Sequence, residues 1–250
     1  MHLLSRFTLS TVLLFLSSLT YGQFAGGTGT AEDPWQVATL EHLNNVRNYL
    51  GEDHADKHFI QIADINATGL AWQPIGSLGS GFMGTYNGDD HKISNLNIIR
   101  PEAHNTGLFG YLENARISNL NLQAIEVAGN SSTGSLAGRA HNSFITNVTV
   151  TGTITGTSTN TGGIIGYAQN GQYSRLAADV TVTGTSGNTG GVFGTLGAEA
   201  RYSYSKGTVV GTTSTGGFVG LASSGNMITD CYSLADVTGT NWVGGFSGWS

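Results

Sequence analysis

Two hydrophobic patterns alternate along most of the chain. The first is a four-residue block in which glycine or another small residue is followed by two mostly apolar residues and a closing glycine, as in residues 107–110, Gly-Leu-Phe-Gly. The closing glycines lie at positions 84, 110, 138, 166, 194, 220 and 248, so successive blocks are 26 or 28 residues apart. Seven blocks at nearly constant spacing indicate an internal repeat.

The second pattern lies between the blocks, where apolar residues alternate with polar ones, as at Val148 and Val150 or Val180 and Val182. A period of two is typical of strands with one apolar face. Each repeat supplies at least two such strands but too little apolar surface for a core of its own, so neighbouring repeats must stack. The pattern predicts an all-β fold, a parallel β-helix or solenoid with coils of 26–28 residues.

The two apolar positions of the blocks form two columns in such a fold. Because adjacent residues of a regular strand point to opposite faces, we expect one column to fill the interior. The expected interior column is the first one, which comprises Phe82, Leu108, Leu136, Ile164, Val192, Phe218 and Phe246. We expect the flanking glycines where coils bend or where side chains would collide between layers.

A short helix is predicted before the repeats. Leucine and valine recur every three or four positions between residues 39 and 50, which indicates about three turns of helix. Thr39 is the expected N-cap and Gly51 the expected residue after the C-terminus. We expect this to be the only clear helix of the mature chain, within a cap region of residues 23–78 that leads into the solenoid repeats of residues 79–250.

The N-terminus has the layout of an export signal. A weakly basic tip with Arg6 precedes an apolar run over residues 7–19, and small residues, Thr20 and Gly22, follow it. This predicts a cleaved signal peptide of residues 1–22 and a secreted or cell-surface protein with no membrane span in the mature chain. The alternative is a buried N-terminal helix.

The composition removes several classes of protein. Only 26 of 250 residues are charged, the net charge is −6, and 38 glycines occur with just 3 prolines. Low charge argues against disorder, glycine without a strict period of three against collagen, and a lone Cys231 against a disulfide scaffold. The acidic balance and the lack of a basic cluster exclude nucleic acid as a partner.

The charged side chains also argue against catalysis in the repeats. Enzymes built on β-helices need clustered acidic or basic groups on neighbouring coils. From residue 127 onwards the acidic residues are only Asp179, Glu199, Asp230 and Asp236. Asp179 and Asp236 should lie about two coils apart, too far for a carboxylate pair. We therefore predict that the chain is not an enzyme.

Three short motifs have a simpler structural explanation. His54 and His58 have the spacing of metal ligands on a helix, but they follow the stop at Gly51 and lack the zinc-protease pattern. Residues 79–84 match a dinucleotide-binding fingerprint but lead into a turn instead of a helix. Residues 89–91, Asp-Asp-His, follow a strong turn signal. The sequence thus assigns no catalytic, cofactor-binding or metal-ligating residue and implies no cofactor, although metal binding by the two histidines stays open.

The repeats resemble the GLUG-repeat family of bacterial surface and secreted proteins. Residues 107–110 match its Gly-Leu-aromatic-Gly core, and later repeats carry its companion phrase, such as Cys-Tyr-Ser at 231–233 with Val-Thr-Gly at 237–239. The resemblance covers about residues 25–250. It implies an exported, β-rich module of the adhesin-like or extracellular-protease-associated kind, and it supplies no catalytic residues.

Two functions are consistent with these observations. The first is a non-catalytic surface module for adhesion or spacing, whose partners are glycans or molecules of a host or neighbouring cell surface. A charge-poor surface rich in Thr, Ser and Asn suits such hydrogen bonding. The second is the non-catalytic N-terminal arm of a larger extracellular enzyme, either a polysaccharide-degrading enzyme or a metalloprotease such as one that cleaves immunoglobulin.

The C-terminal end generates a prediction. The sequence stops at Ser250, directly after a glycine block and without a polar cap, and an open strand edge recruits other chains. We expect either a truncated chain or edge-to-edge self-association at this end. Light scattering should then show a mass that rises with protein concentration, whereas a monodisperse monomer would contradict the association.

Overall fold

The described part of the chain is a parallel β-solenoid. The computed structural model describes residues 22–223, 225 and 227–250. The predicted signal peptide of residues 1–22 lies outside these residues except for Gly22. The coils make about eight turns, with one short α-helix near the N-terminus, which confirms the predicted fold class.

Seventeen strands form one continuous sheet that follows the coils. They are β1 Trp35–Val37, β2 His58–Gln61, β3 Ile65–Asn66, β4 Thr85–Asn87, β5 Lys92–Ser94, β6 Asn97–Ile99, β7 Phe109–Glu113, β8 Arg116–Gly129, β9 Ala137–His141, β10 Phe144–Gly156, β12 Ile165–Gly184, β14 Phe193–Arg201, β15 Tyr204–Val210, β17 Val219–Ala222, β18 Ile228–Thr229, β19 Tyr232–Thr238 and β21 Ser247–Trp249. A second sheet consists of β11 Thr161–Gly162, β13 Asn188–Gly190, β16 Thr213–Gly216 and β20 Val243–Gly244.

The strands pair in parallel with the equivalent strand of the next coil. One ladder passes through eight rungs, Trp35, Phe59, Tyr86, Ile117, Ile145, Tyr173, Ala200 and Ile228. Its seven steps of about 4.8 Å give a stack about 34 Å long. Because β1 and β2 already belong to this ladder, the sheet begins upstream of the glycine blocks, within residues 23–78.

Differences in coil length are absorbed at corners. The register between neighbouring strands shifts between Gln169 and Gln172, where β12 turns, and again between Asn188 and Thr189 in β13. A third shift lies between Val150 and Gly152 in β10. The straight segments on either side keep their pairing, so coils of 26 and 28 residues stack without misaligning the core.

The helix is shorter than the sequence predicts. α1 spans Leu40–Asn45 and is followed by a 3-10 turn, Val46–Asn48. Thr39 is the N-cap as predicted, since its Oγ1 accepts a hydrogen bond from the backbone N–H of His42 at 3.2 Å. Asparagine is a poor helix former, because its side chain competes for backbone hydrogen bonds. Asparagines near the end of the predicted helix therefore favour the tighter turn.

Gly51 does not end the α-helix. It has a φ of +79° and precedes a second 3-10 turn, Glu52–His54. The apolar stripe of the predicted helix nevertheless packs as expected, because Leu43 and Val46 have no exposed surface and belong to the same core as Phe59 of β2. The helix therefore covers the N-terminal end of the solenoid interior.

The expectation that only one block column is buried is wrong. Both columns have no exposed surface at Leu108, Phe109, Leu136, Ala137, Ile164, Ile165, Val192, Phe193, Phe218 and Val219. The strands begin at the second apolar position, as β14 does at Phe193, so the first position lies in the bend that precedes the strand. The alternation of a regular strand does not apply across a bend. Both side chains point inward, and the rings of Phe193 and Phe218 lie 5.7 Å apart.

The closing glycines allow two parts of the coil to approach closely. A Cβ on Gly194 would lie 2.6 Å from the backbone of Asn160 and Thr161, and a Cβ on Gly166 would lie 2.5 Å from that of Thr133. These neighbours lie in or next to β11 or at the equivalent place one coil earlier. The repeated glycines therefore lie where the second sheet comes closest to the main sheet. This agrees with the expectation that larger side chains would collide between layers.

The last coil leaves apolar side chains exposed. Leu234 is 70%, Trp242 56% and Trp249 49% exposed, and the rings of the two tryptophans are 4.4 Å apart. Exposed apolar side chains of this kind are typical of surfaces that associate with other protein surfaces. Association itself stays a prediction.

Two glycines of β14 provide a matched test of the close approach. Gly194→Ala should lower the free energy of unfolding by at least about 2 kcal/mol, because the new methyl group meets rigid backbone. Gly197→Ala should raise it by up to about 1 kcal/mol, because its nearest neighbour would be 3.6 Å away and alanine restricts the unfolded chain. Chemical denaturation measures both variants, and equal effects would contradict the close approach.

Candidate binding site

The two histidines do not form a helical metal site. His54 ends the 3-10 turn Glu52–His54, and its ring packs edge-on against Tyr49 at 5.2 Å. His58 is the first residue of β2, so the two side chains do not share a helix face. Among the residues that the structure describes, no group of three or more His, Cys, Asp or Glu side chains could hold a metal ion.

The other two motifs lie in turns. Ser77 and Ser80 bond to each other through both backbone N–H groups, and the chain then enters β4, so the glycine fingerprint precedes a strand. Asp89 and Asp90 have left-handed φ values of 49° and 62°. The backbone N–H of Asp89 donates to Asn87 Oδ1 at 3.0 Å, as a polar turn requires.

Asp179 is paired with a cation instead of a carboxylate. Lys206 lies opposite it one coil further on, and the Nζ to Oδ2 distance is 2.9 Å. The hydrogen bond to Asp179 raises the pKa of Lys206. Asp236 pairs with Thr208 across the ladder, two residues along the strand from Lys206. This part of the surface therefore carries an exposed ion pair.

One corner of the coils carries a column of left-handed residues. Its members have φ between 52° and 56° and are Asn119, Asn147, Arg175, Tyr202 and Asp230. Asparagine is one of the few residues with a Cβ that adopts this conformation readily. Asn147 Nδ2 donates to Asn119 Oδ1 at 2.9 Å, and Asn119 Nδ2 donates to Asn87 Oδ1 at 2.9 Å. In the first coils, this corner therefore carries asparagine, which suits the left-handed backbone, and a ladder of hydrogen-bonded amides.

Arg175 and Tyr202 depart from this preference. For residues other than glycine, asparagine and aspartate, the left-handed conformation costs about 1–2 kcal/mol. The Arg175 guanidinium carbon lies 5.9 Å from the centroid of the Tyr202 ring, and the tyrosine is 55% exposed. The corner therefore presents a cation and a flat ring to the solvent in place of an amide ladder.

A pocket of about 330 Å³ opens at this corner. It is lined by Gln172, Tyr173, Ser174, Arg175, Glu199, Arg201 and Tyr202. Glu199 forms an ion pair with Arg201, and Gln172 Nε2 donates to the second carboxylate oxygen of Glu199 at 3.4 Å. Tyr173 forms the buried floor, and burial raises the pKa of its hydroxyl.

The lining suits binding better than bond cleavage. Its carboxylate is engaged by Arg201 and Gln172, which leaves the amide oxygen of Gln172, a hydroxyl, a guanidinium and a ring to meet a ligand. Sequence reasoning missed this pocket, because it treated the arginines only as scarce charges. The available signal was positional, since residues 119, 147 and 175 are spaced by 28 and only the third is not asparagine.

Arginine and aromatic residues are also paired on nearby coils. The Arg116 guanidinium lies 4.5 Å from the Phe144 ring centroid, and that of Arg139 lies 4.7 Å from Tyr167. Phe144 is opposite Gln172 in the β10 to β12 pairing. A second exposed ring therefore adjoins the pocket lining.

The structure thus defines the chain as a parallel β-solenoid with a surface pocket at one corner of its coils. Within the described residues, no helix is both long and apolar enough to cross a membrane. Residues 74–152 match the family model described as the M26 IgA1-specific metallo-endopeptidase N-terminal region. This match covers less than half of the chain.

A solved structure shares the fold. It is described as "a putative immunoglobulin A1 protease from Bacteroides ovatus", with a TM-score of 0.77 and 22% identity, and the likeness covers 90% of this chain and 74% of that one. At this identity the likeness shows the fold alone.

Two curated relatives match parts of the chain. One, from Evansella cellulosilytica, is named "Putative Gly-rich membrane protein" and is 42% identical over 106 residues, which are 40% of this chain and 12% of the relative. The other is Halomucin from Haloquadratum walsbyi, 34% identical over 123 residues, or 45% of this chain and 1% of the relative. The chain therefore spans only a small part of the relatives it matches.

The asparagine ladder yields a test of the corner. Asn119→Ala should lower the free energy of unfolding by about 2 kcal/mol, because it removes the amide hydrogen bonds and strains the left-handed backbone. Asn119→Gly removes the same amide without that strain and should cost about 1 kcal/mol. Urea denaturation compares the two, and a loss as large for glycine as for alanine would show that the backbone conformation contributes nothing.

Proposed function

We propose that the chain is the non-catalytic N-terminal arm of a larger extracellular metalloprotease. The observation that carries this proposal is the match of residues 74–152 to the N-terminal region of a metallo-endopeptidase family. The fold shared with the Bacteroides ovatus protein over 90% of the chain supports it. The comparisons do not support adhesion, which the sequence favoured first.

The solenoid suits the role of an arm for a physical reason. Each coil is hydrogen-bonded to its neighbours along a parallel ladder, so eight coils form a stiff stack about 34 Å long. A stiff stack holds a catalytic domain at a fixed distance from whatever its other end contacts. We include in the proposal the signal peptide of residues 1–22 and the resemblance of the repeats to the GLUG family, both of which would place the arm outside the cell.

An antibody raised against the chain tests this role in the source organism. Immunoblots of the culture medium and cell surface should show a species much larger than 26 kDa. Material captured by the antibody should cleave a protein substrate, IgA1 first, and a zinc chelator should abolish the cleavage. The recombinant chain, assayed in parallel, should leave the substrate intact.

Two results would contradict the proposal. The first is a mature species no larger than the chain itself. The second is a large species that is confined to the cytoplasm or from which no chelator-sensitive proteolysis is recovered. Blots of fractionated cells with a cytoplasmic marker separate these cases.

A further inference from the structure

Arg175 and Tyr202 occupy corner positions whose backbone favours asparagine, and we propose that the pocket they line binds a carboxylated sugar. Asn119 and Asn147 fill the same column on the preceding coils, where their amides join the ladder. An arginine and a tyrosine gain nothing from a left-handed backbone. Departures from a local backbone preference are expected at functional sites. Their side chains therefore serve to contact a ligand outside the solenoid.

The two exposed side chains match the two chemical faces of an acidic sugar. The Tyr202 ring is 55% exposed and offers a flat apolar surface to the C–H face of a pyranose. The Arg175 guanidinium, 5.9 Å from the ring centroid, offers two parallel N–H groups to a carboxylate. Tyr202 therefore orients the sugar ring, and Arg175 selects a negatively charged sugar.

The charges of the pocket leave one cation for the ligand. Glu199 and Arg201 form an ion pair with each other. Among the described residues, Arg175 forms no ion pair with a carboxylate, and its charged group contacts the Tyr202 ring. Asp230 follows Tyr202 in the corner column but does not line the pocket. The lining therefore offers one unpaired cation to one carboxylate of the ligand.

The remaining polar groups suit hydroxyls. Gln172 provides an amide, and the Ser174 hydroxyl, which donates to Thr146 at 2.9 Å, keeps its lone pairs for a ligand donor. The volume of about 330 Å³ lies at the small end of ligand pockets and suits one or two sugar rings. Phe144, opposite Gln172, provides a second ring surface, which favours an oligosaccharide. An acidic peptide would also engage Arg175, but it lacks the rigid C–H face that packs flat on the exposed Tyr202 ring.

Paired probes test the proposal by isothermal titration calorimetry on the chain. Trigalacturonate is compared with its trimethyl ester, and 3′-sialyllactose with lactose, so that each acidic probe has a neutral partner and the two pairs separate a polyuronate from a sialoglycan. We expect at least one acidic probe to bind tenfold more tightly than its partner. The proposal is overturned if neither acidic probe exceeds its neutral partner, or if an acidic peptide binds more tightly than both.

Variants locate the binding and test the strain. Arg175→Asn and Tyr202→Asn should each weaken binding of the acidic probe at least tenfold and raise the melting temperature by a few degrees, because asparagine suits the corner. Lys206→Gln, which also removes one exposed positive charge, should bind as the unaltered chain does. Unchanged binding in both corner variants would overturn the site, and lower melting temperatures would overturn the argument from backbone strain. Neither result bears on the association with a protease.

Discussion

The parallel backbone ladder is the constraint on which the rest of this structure depends. Once successive coils are hydrogen-bonded in register, every residue has an equivalent neighbour about 4.8 Å away above and below. Apolar residues then stack on apolar residues, as Ile117 does on Ile145, and the core becomes a set of columns. Like charges on one column would repel one another, which is consistent with the small number of charged residues among the 250. The stacking therefore determines composition as well as shape.

The sequence predicted the coil because a period near 28 residues is visible without knowing any contact. It did not predict that Leu108 and Phe109 are both buried, since the bend between them is a tertiary feature that strand alternation ignores. The sequence pattern also overestimated the length of the helix, which spans only Leu40–Asn45. Asparagines near its end shorten it, although its apolar stripe still packs in the core. Periodicity thus identifies what must be buried, while bends and helix ends depend on backbone geometry.

The candidate site was hidden for a related reason. A pocket lined by residues 172–175, 199, 201 and 202 comes from two coils, and its distinctive feature is a backbone conformation that no composition reveals. Comparing equivalent positions of successive repeats recovers part of it, because Arg175 replaces an asparagine of the earlier coils. In a repeat protein, the residues that leave the pattern carry more information about function than those that keep it.

The shifts of register at the corners have a consequence for the history of such a chain. Because segments near Gln169 and Asn188 absorb gains or losses of single residues, small insertions and deletions there need not disturb the core. A duplication of one whole coil would likewise present the same hydrogen-bonding edge that it replaces. A protein built in this way can lengthen or shorten in units of one coil, and genes for it should differ among relatives mainly in the number of copies.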